Sequence, residues 1–327
     1  MYVFSYKFYG RFIILLNLLL GRKVYYSPAF KKKNSIKFVN TSNYTKLIEE
    51  SRKLVFNYFK SKESNFKDNK LKLLNYVLKY YDLNFTSFYV FVQSIKKNNS
   101  KITSKNIIAD KVLKNIYYNH HNKKISVNLF KIFSYIIIFF KFIIFFIKTI
   151  FICLITLQSK KIDHPQLLYL RKKDYADFVF PTFQNYLKLK NLKAECFVIN
   201  FSISNKKNNF HHLNHLKSSV TLSIKSFFLT FMEFIKLFSL FKKINVNSKF
   251  VYEFLYSSYI SFIISQINSQ VITGILLDKP IFSLVYKNKK NQILCSLNEA
   301  FMFKPFRYFD YCDLDIYFYM NEIDKKN

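Results

Sequence analysis

The stretch Ala194–Ser204 reads AECFVINFSIS. Its apolar residues alternate with others closely enough to predict a β-strand, because successive side chains of a strand point to opposite faces of a sheet. In such a strand Phe197, Ile199 and Phe201 share one face. The stretch decides the fold class, since a strand here makes the C-terminal half a combination of sheet and helix instead of a helical bundle.

Other apparent strands and helices alternate with this strand. Leu213–Phe241 and Phe250–Gln266 have apolar residues at helical spacing and predict helices. Gln292–Leu297 and Leu314–Met320 predict short strands. We therefore expect residues 175–327 to form an α+β domain, a sheet with helices packed on one face.

Residues 1–174 differ in texture and predict a basic, mainly helical N-terminal extension. Apolar residues recur three and four positions apart in Tyr44–Phe59 and Leu71–Tyr81, which predicts helices. The runs Lys31–Lys33 and Lys96–Lys101 indicate solvated or RNA-facing loops.

Leu129–Leu157 is the most apolar stretch and is long enough to span a bilayer. Lys131, Lys141 and Lys148 interrupt it, and a lysine near the bilayer centre costs about 2.5–3.5 kcal/mol on insertion scales. Three structures are open for it: a transmembrane helix, a long helix with one face on protein and a basic face on RNA, and a helix lying in a membrane interface.

The charge balance indicates a polyanionic partner. The chain has 52 Lys and Arg against 19 Asp and Glu, a formal net charge of +33, and lysines recur along its whole length. An excess of this size repels itself unless nucleic acid or an anionic membrane neutralises it. Nearly all of these cations are lysines, which favours contact with the phosphate backbone of folded RNA over reading of base edges.

The amino-acid composition also indicates the cellular compartment of the protein. The four cysteines, at positions 153, 196, 295 and 312, are far apart, which argues against a disulfide framework or a zinc ribbon. Phe, Tyr, Ile, Asn and Lys are abundant while Gly and Trp are scarce, as expected of an AT-rich gene in an organelle genome. We expect no secretory signal peptide, because no small-residue cleavage site follows the apolar segment Phe12–Leu20.

Catalytic or metal chemistry is not expected. His211 and His215 stand four residues apart beside His212, but no glutamate completes an H-E-x-x-H arrangement. Asp313 and Asp315 are more typical of a loop end than of a metal site. Three glycines cannot make a glycine-rich phosphate loop. The sequence therefore predicts neither an enzyme nor a metal or cofactor site.

Three segments of the C-terminal part resemble, in order, the large-subunit ribosomal protein number five family. Asn185–Asn205 resembles the strand that opens the family's sheet, with Phe197–Asn200 at its centre. Lys249–Ile264 contains VYEFL, similar to the family's "KMYEFLDRLI" helix. Asn291–Met320 is similar to the family's closing strands, but the usual glycines are missing from Gln270–Asn288, interpreted as a loop.

The resemblance implies a structural protein of the central protuberance of a large ribosomal subunit. In that family the domain binds ribosomal RNA, approaches the P-site tRNA through a loop and bridges to the small subunit. We expect rRNA, neighbouring ribosomal proteins, P-site tRNA and small-subunit proteins as partners, and the mitochondrial matrix as the location. The candidate RNA-binding residues are Lys188, Lys190, Lys193, Lys206, Lys207, Lys287, Lys289, Lys290 and Arg307.

Two other hypotheses remain open. The first is an organelle-encoded accessory subunit of an inner-membrane respiratory or ATP-synthase complex, anchored by residues 129–157, for which the membrane is the partner. The second is a maturase-like or other nucleic-acid enzyme, which would need a carboxylate cluster that the sequence does not show.

Overall fold

The computed structural model describes residues 1–5, 8–28, 44–61, 68–98, 103, 106–118, 129–155, 167–171, 185, 196–200, 219–244, 246–275, 280–297 and 314–318. Over these residues the chain is mostly helical and has two small parallel sheets, so it is broadly α+β. It divides into two compact units. Unit 1 comprises Met1–Ser126 and Lys243–Asn247, and unit 2 comprises Val127–Lys242 and Ser248–Asn327.

Unit 1 combines a small sheet with helices. Its described helices are α1 (Phe8–Leu19), α2 (Tyr44–Lys60), α3 (Asp68–Asn98) and α4 (Lys111–Tyr117). Three two-residue strands pair in parallel in the order β2-β1-β3; they are β1 (Tyr2–Val3), β2 (Tyr25–Tyr26) and β3 (Ile107–Ile108). Buried side chains from this sheet and α1 form a small core of Val3, Ile14, Val24 and Tyr26.

A glycine ends α1. Gly21 has a φ of +67°, a left-handed conformation that glycine adopts without strain. The Gly21 N–H donates to the Leu18 carbonyl at 3.0 Å, and the Arg22 N–H donates to the Asn17 carbonyl at 2.9 Å. These two bonds satisfy the last carbonyls of the helix in the Schellman pattern, so the chain can turn back toward β2.

The two helices predicted in this part of the chain are confirmed. The helix predicted over Leu71–Tyr81 continues in the structure to Asn98, because Phe85, Phe88 and Phe91 extend its buried apolar face. The loop predicted from Lys96 is wrong at its start, since Lys96 and Lys97 form the last turn of α3. Cations at this position are favourable because a helix C-terminus carries partial negative charge.

Two pairs of polar side chains connect α2 to α3 within unit 1. Arg52 Nε lies 3.3 Å from Asp82 Oδ2, and both side chains are nearly buried. One turn away, the hydroxyls of Ser51 and Thr86 are 2.9 Å apart. Since these helices otherwise meet through aromatic side chains, the polar pairs fix their register.

Tyr89 ties α3 to α2 through a hydroxyl group that resists ionisation. Its Oη donates to Glu50 Oε2 at 2.8 Å. Burial, and then the bond to the Glu50 carboxylate, raise the pKa of Tyr89 to about 12.

The raised pKa predicts a pH-dependent contribution of Tyr89 to stability. The folded pKa lies above the unfolded value, so the contribution is complete below pH 10 and is lost as the pH rises toward about 12. We expect the stability difference between the parent and Tyr89→Phe to shrink over this interval, measured by urea unfolding at successive pH values. A constant difference would contradict the assignment.

Unit 2 contains four described helices and a five-stranded sheet. The helices are α5 (Leu129–Ile155), α6 (Ser219–Ile244), α7 (Ser248–Gln266) and α8 (Pro280–Asn288). The strands are β4 (Leu167–Arg171), β5 (Cys196–Asn200), β6 (Val271–Ile275), β7 (Ile293–Leu297) and β8 (Ile316–Phe318). Within the described residues, the strands predicted in Ala194–Ser204, Gln292–Leu297 and Leu314–Met320 are confirmed as β5, β7 and β8. The helices predicted over Leu213–Phe241 and Phe250–Gln266 are confirmed as α6 and α7, and α5 is one continuous helix.

All five strands are parallel, in the order β5-β4-β6-β7-β8. Leu168 of β4 pairs with Ile272 of β6, which pairs with Leu294 of β7, and all three side chains are fully buried. This apolar row forms part of the core of unit 2. Parallel strands require crossover connections, and α8 supplies the one from β6 to β7.

The segment Gln270–Asn288, interpreted as a loop from its sequence, is instead strand β6 followed by helix α8. Val271, Ile272 and Thr273 are three consecutive β-branched residues, which favour a strand. Pro280 occupies the first helical position of α8, where its missing N–H costs nothing.

Strand β4 precedes the boundary predicted between residues 174 and 175, yet it pairs with β5 and β6 from beyond that boundary. A short apolar segment such as Leu167–Leu170 does not alternate, because parallel strands are commonly covered on both faces. As a functional division between extension and domain, the boundary at 174/175 stays a prediction.

Candidate nucleic-acid interface

Three of the nine candidate RNA-binding residues lie in the described part of the chain. They are Lys287, Lys289 and Lys290, at the C-terminal end of α8 and in the turn before β7. The Lys289 N–H donates to the Val285 carbonyl at 2.8 Å, which extends the helical turn and brings the lysines together. The others lie outside the described residues: Lys188, Lys190, Lys193, Lys206, Lys207 and Arg307.

Lys287 points into unit 2, toward α6. Its Nζ forms an ion pair with Glu233 Oε1, and both side chains are largely buried. Ser258 of α7 donates to the other oxygen of the same carboxylate at 3.2 Å. Glu233 therefore joins three helices, and the ammonium group of Lys287 has a fixed protein partner.

Small polar residues extend this connection on both sides. Gln266 Nε2 donates to Ser226 Oγ at 2.7 Å, linking α7 to α6. Asn288 Nδ2 donates to Ser261 Oγ at 2.7 Å, linking α8 to α7. These two bonds therefore connect neighbouring helices of the layer through paired polar side chains.

Removing the carboxylate at the centre of these pairs should destabilise unit 2. Glu233→Ala deprives the Lys287 ammonium and the Ser258 hydroxyl of this acceptor, and we expect the free energy of unfolding to fall by about 1–3 kcal/mol. Lys236→Ala on the exposed side of the same helix is the matched control, with an expected change within about 0.5 kcal/mol. Equal effects in urea unfolding would show that the Glu233 pairs contribute nothing.

Lys289 is held by the edge of the sheet. Its Nζ lies 2.8 Å from Asp315 Oδ2, donates to the Gln292 carbonyl at 2.9 Å and sits 5.0 Å from the ring centre of Tyr286. Asp315 also accepts a hydrogen bond from the Leu294 N–H at 2.7 Å. This carboxylate therefore joins β8 to β7 and neutralises Lys289, a structural role that the sequence did not reveal.

Lys290 is the exposed cation of the three. The neighbouring Tyr286 ring has 39% of its surface exposed, and Asn291 is exposed beside it. An exposed ammonium can bind a phosphate, and an exposed ring can stack on an unpaired base. Of the three described candidates Lys290 is the exposed one, and its contact with RNA stays a prediction.

Many exposed lysines outside the predicted set lie on helices of both units. At roughly 100° per residue, Lys53 and Lys60 of α2 fall on one face, and a count by helical spacing could have found them. Lys60 and Lys96 each lie over a ring, those of Phe56 at 5.5 Å and Tyr117 at 5.1 Å. Exposed cations are therefore distributed over both units, as expected of a surface embedded in a polyanion.

The described residues give little support to metal-ligating or thiol chemistry. They contain no group of three or more His, Cys, Asp or Glu residues that could hold a metal ion. Burial raises the pKa of the Cys295 thiol, which disfavours the reactive thiolate. The histidines 211, 212 and 215 and Asp313 lie outside the described ranges. That the protein is not an enzyme stays a prediction.

Within the described ranges, no helix is both long and apolar enough to cross a membrane. The sequence matches no protein-family model, no curated protein and no solved structure.

Proposed function

We propose that this protein is a structural constituent of the large subunit of an organellar ribosome, the mitochondrial one, and that it has no catalytic activity. It binds ribosomal RNA through contacts between lysines and phosphates, in or near the central protuberance. The observation that carries the proposal is the net charge of +33, with exposed lysines on both compact units. Such a surface gains its main stabilisation by releasing counterions from a polyanion.

The proposed RNA-binding domain comprises residues 175–327, with residues 1–174 as a mainly helical extension. Its helices are proposed to pack on one face of the sheet. The connections from β5 to β6 and from β6 to β7 run in the same direction across the sheet, and parallel crossovers are almost always right-handed. Right-handed crossovers place α6, α7 and α8 on the same face, and the hydrogen bonds among these helices support this arrangement.

The resemblance to the large-subunit ribosomal protein number five family supports the location within the ribosome. Strands β5, β7 and β8 fall inside the matching segments and α7 spans the middle one, in the expected order. Strand β6 and helix α8 stand where the resemblance assigned a loop, so this region of the domain differs from the interpretation based on the family.

The proposed partners follow from that location. They are ribosomal RNA and neighbouring ribosomal proteins, with P-site tRNA and small-subunit proteins reached through loops of the domain. The corner formed by Lys290 and Tyr286 is the described surface best suited to contact RNA.

Sedimentation of organelle lysate tests the proposal. In sucrose gradients at moderate salt, the chain should travel with the large ribosomal subunit. Ribonuclease treatment, or high salt, should move it to the top of the gradient because its phosphate contacts are screened or destroyed. A chain that stays at the top at moderate salt, in fractions free of large-subunit RNA, would overturn the proposal.

The second candidate is an accessory subunit of an inner-membrane respiratory or ATP-synthase complex, held by residues 129–157. The exposed apolar side chains of α5 favour it, among them Phe133, Phe140 and Phe151. Alkaline carbonate extraction separates the two candidates, since it releases ribosomal proteins and leaves integral membrane subunits in the pellet.

A further inference from the structure

Helices α5 and α6 lie side by side and are joined by aromatic rings. The ring centres of Phe146 and Phe227 are 4.1 Å apart, and Phe142 also stacks on Phe227 at 5.6 Å. Toward the other end, Phe139 meets Phe231 at 5.3 Å. Residue numbers rise along α5 as they fall along α6, so the two helices are antiparallel.

Both helices rest on α7. Phe145 of α5 meets Tyr256 of α7 at 5.3 Å between ring centres. On α6, Ser226 and Glu233 bond to side chains of α7. Because both helices bury the side that faces α7, their opposite sides form one common outer surface, which we call the α5–α6 surface.

The α5–α6 surface is apolar at its centre. On α5 it presents Phe and Ile side chains that are about half exposed or more, such as Phe140 at 59% and Ile147 at 58%. On α6 it presents Phe228 at 60% and Met232 at 51%. The remaining exposed apolar members are Phe133, Ile136, Ile137, Ile144, Phe151, Leu154, Ile224, Leu229 and Ile235.

Helix α6 carries large apolar residues on its outer side as well as on its buried side, unlike a typical surface helix of a water-soluble protein. Its buried side carries Ser223, Ser226, Thr230 and Glu233 together with apolar residues such as Phe234 and Phe241, and its outer side also carries large apolar residues. Surface helices normally bury the apolar stripe and expose the polar one. A contiguous exposed apolar area of this kind marks an interaction site for protein or membrane.

Lysines border the apolar area on its two outer edges. At about 100° per residue, Lys141 and Lys148 lie roughly 70° from the middle of the outer face of α5, on the flank away from α6. Lys225 and Lys236 lie at a similar angle on α6, on the flank away from α5. All four side chains are exposed. Lysines in this position can keep their ammonium groups in the headgroup layer while their stems cover apolar surface.

We propose that the α5–α6 surface docks on an anionic lipid bilayer, with both helices lying in the plane of the interface. The apolar centre enters the boundary between headgroups and acyl chains, and the bordering lysines bind anionic headgroups. RNA fits the centre poorly, because it offers no apolar surface. A second copy of the chain is disfavoured, because pairing would bring two sets of bordering lysines and two charges of +33 together.

This membrane-docking surface goes beyond the proposed ribosomal function and does not depend on it. It uses α5 and α6, whereas the proposed RNA contact of unit 2 uses the corner at Lys290 and Tyr286. A ribosomal protein with this surface would bring its ribosome to a membrane.

Vesicle flotation of the full chain tests the proposal. The protein should float with vesicles of phosphatidylcholine and phosphatidylserine, and much less with phosphatidylcholine alone. Phe140→Ser combined with Phe228→Ser should reduce binding about a hundredfold, because two rings no longer enter the apolar layer. Both rings are exposed, so circular dichroism should show an unchanged fold.

Two further variants locate the contact. Lys141→Gln with Lys148→Gln should weaken binding to phosphatidylserine vesicles about 30-fold, since each lysine contributes about 1 kcal/mol there, and should leave weak binding to phosphatidylcholine unchanged. Lys53→Gln with Lys60→Gln, two exposed lysines seven residues apart on α2 of unit 1, is the matched charge control and should change binding less than about twofold.

Three results would overturn the proposal. One is that the protein floats with neither kind of vesicle, which would indicate that the α5–α6 surface binds a protein instead of a membrane. Another is an equal loss of binding in Lys53→Gln with Lys60→Gln, which would mean that overall charge, and not the α5–α6 surface, causes the binding. The third is a dimer that light scattering detects without lipid and that dissociates into monomers when Phe140→Ser and Phe228→Ser are combined. Sedimentation of these variants with the large subunit reports the ribosomal proposal separately, since membrane docking does not require RNA.

Discussion

Replacing Asp82 by alanine is expected to lower the free energy of unfolding by about 3–5 kcal/mol, the largest stability effect that the described residues predict. Arg52 Nε lies 3.3 Å from Asp82 Oδ2, with side chains only 8% and 9% exposed. A guanidinium cannot escape this cost by losing its proton, since it stays protonated in proteins. The variant therefore leaves a buried charge without its counterion.

Urea unfolding of two further variants checks this explanation. Lys53→Ala removes the adjacent, exposed cation of the same helix and should change stability by less than about 0.5 kcal/mol. Arg52→Met combined with Asp82→Leu removes both charges of this pair and should recover much of the lost stability, because no guanidinium then lacks the Asp82 carboxylate. A double variant as unstable as Asp82→Ala would mean that lost packing, and not charge, causes the effect.

The affinity of the full chain for folded RNA is expected to fall about 10³–10⁵-fold between 50 and 200 mM salt, if it neutralises six to ten phosphates. Nearly all its cations are lysines, which bind phosphate as point charges and do not read bases bidentately. Binding should therefore depend steeply on salt and only weakly on sequence.

Fluorescence anisotropy titrations over a salt series measure both properties. Lys290→Gln should reduce the salt slope by about 1, as expected for the loss of one phosphate contact, whereas Lys289→Gln should leave it unchanged because Asp315 already neutralises Lys289. Selective binding of one RNA sequence over others of equal length and fold, at physiological salt, would contradict backbone recognition.

Helices with strong periodicity were predictable from the sequence. Ser248–Gln266 and Leu129–Ile155 begin and end within two residues of their predicted bounds. Strands β4 and β6 escaped prediction because they are short and lie in a parallel sheet. Their apolar residues do not alternate, and the pairing of parallel strands depends on distant segments that periodicity cannot report.

The packing of α5 differs from the sequence-based expectation that its Ile and Phe residues lie on protein. Among the α5 side chains that the structure describes, the fully buried ones are Tyr135, Phe142 and Thr149, spaced by seven residues. Lys141 and Lys148 are exposed as expected, but so are Phe140 and Ile144 beside them. The helix is apolar around most of its circumference, so the sequence could not indicate which side would be covered.

The candidate RNA-binding residues show a similar limit. A lysine count predicts basic surface, but it cannot tell Lys290, which is exposed, from Lys287 and Lys289, which pair with acidic residues. Glu233 lies 54 positions from its partner Lys287, so only the folded chain brings them together.

Ultraviolet crosslinking in intact organelles, followed by sequencing of the RNA attached to this chain, tests the central claim most directly. We expect the crosslinked fragments to derive from large-subunit ribosomal RNA and to cluster in the central protuberance. Recovery of no RNA above an uncrosslinked control, or of fragments from other RNAs alone, would contradict a structural role in the large ribosomal subunit.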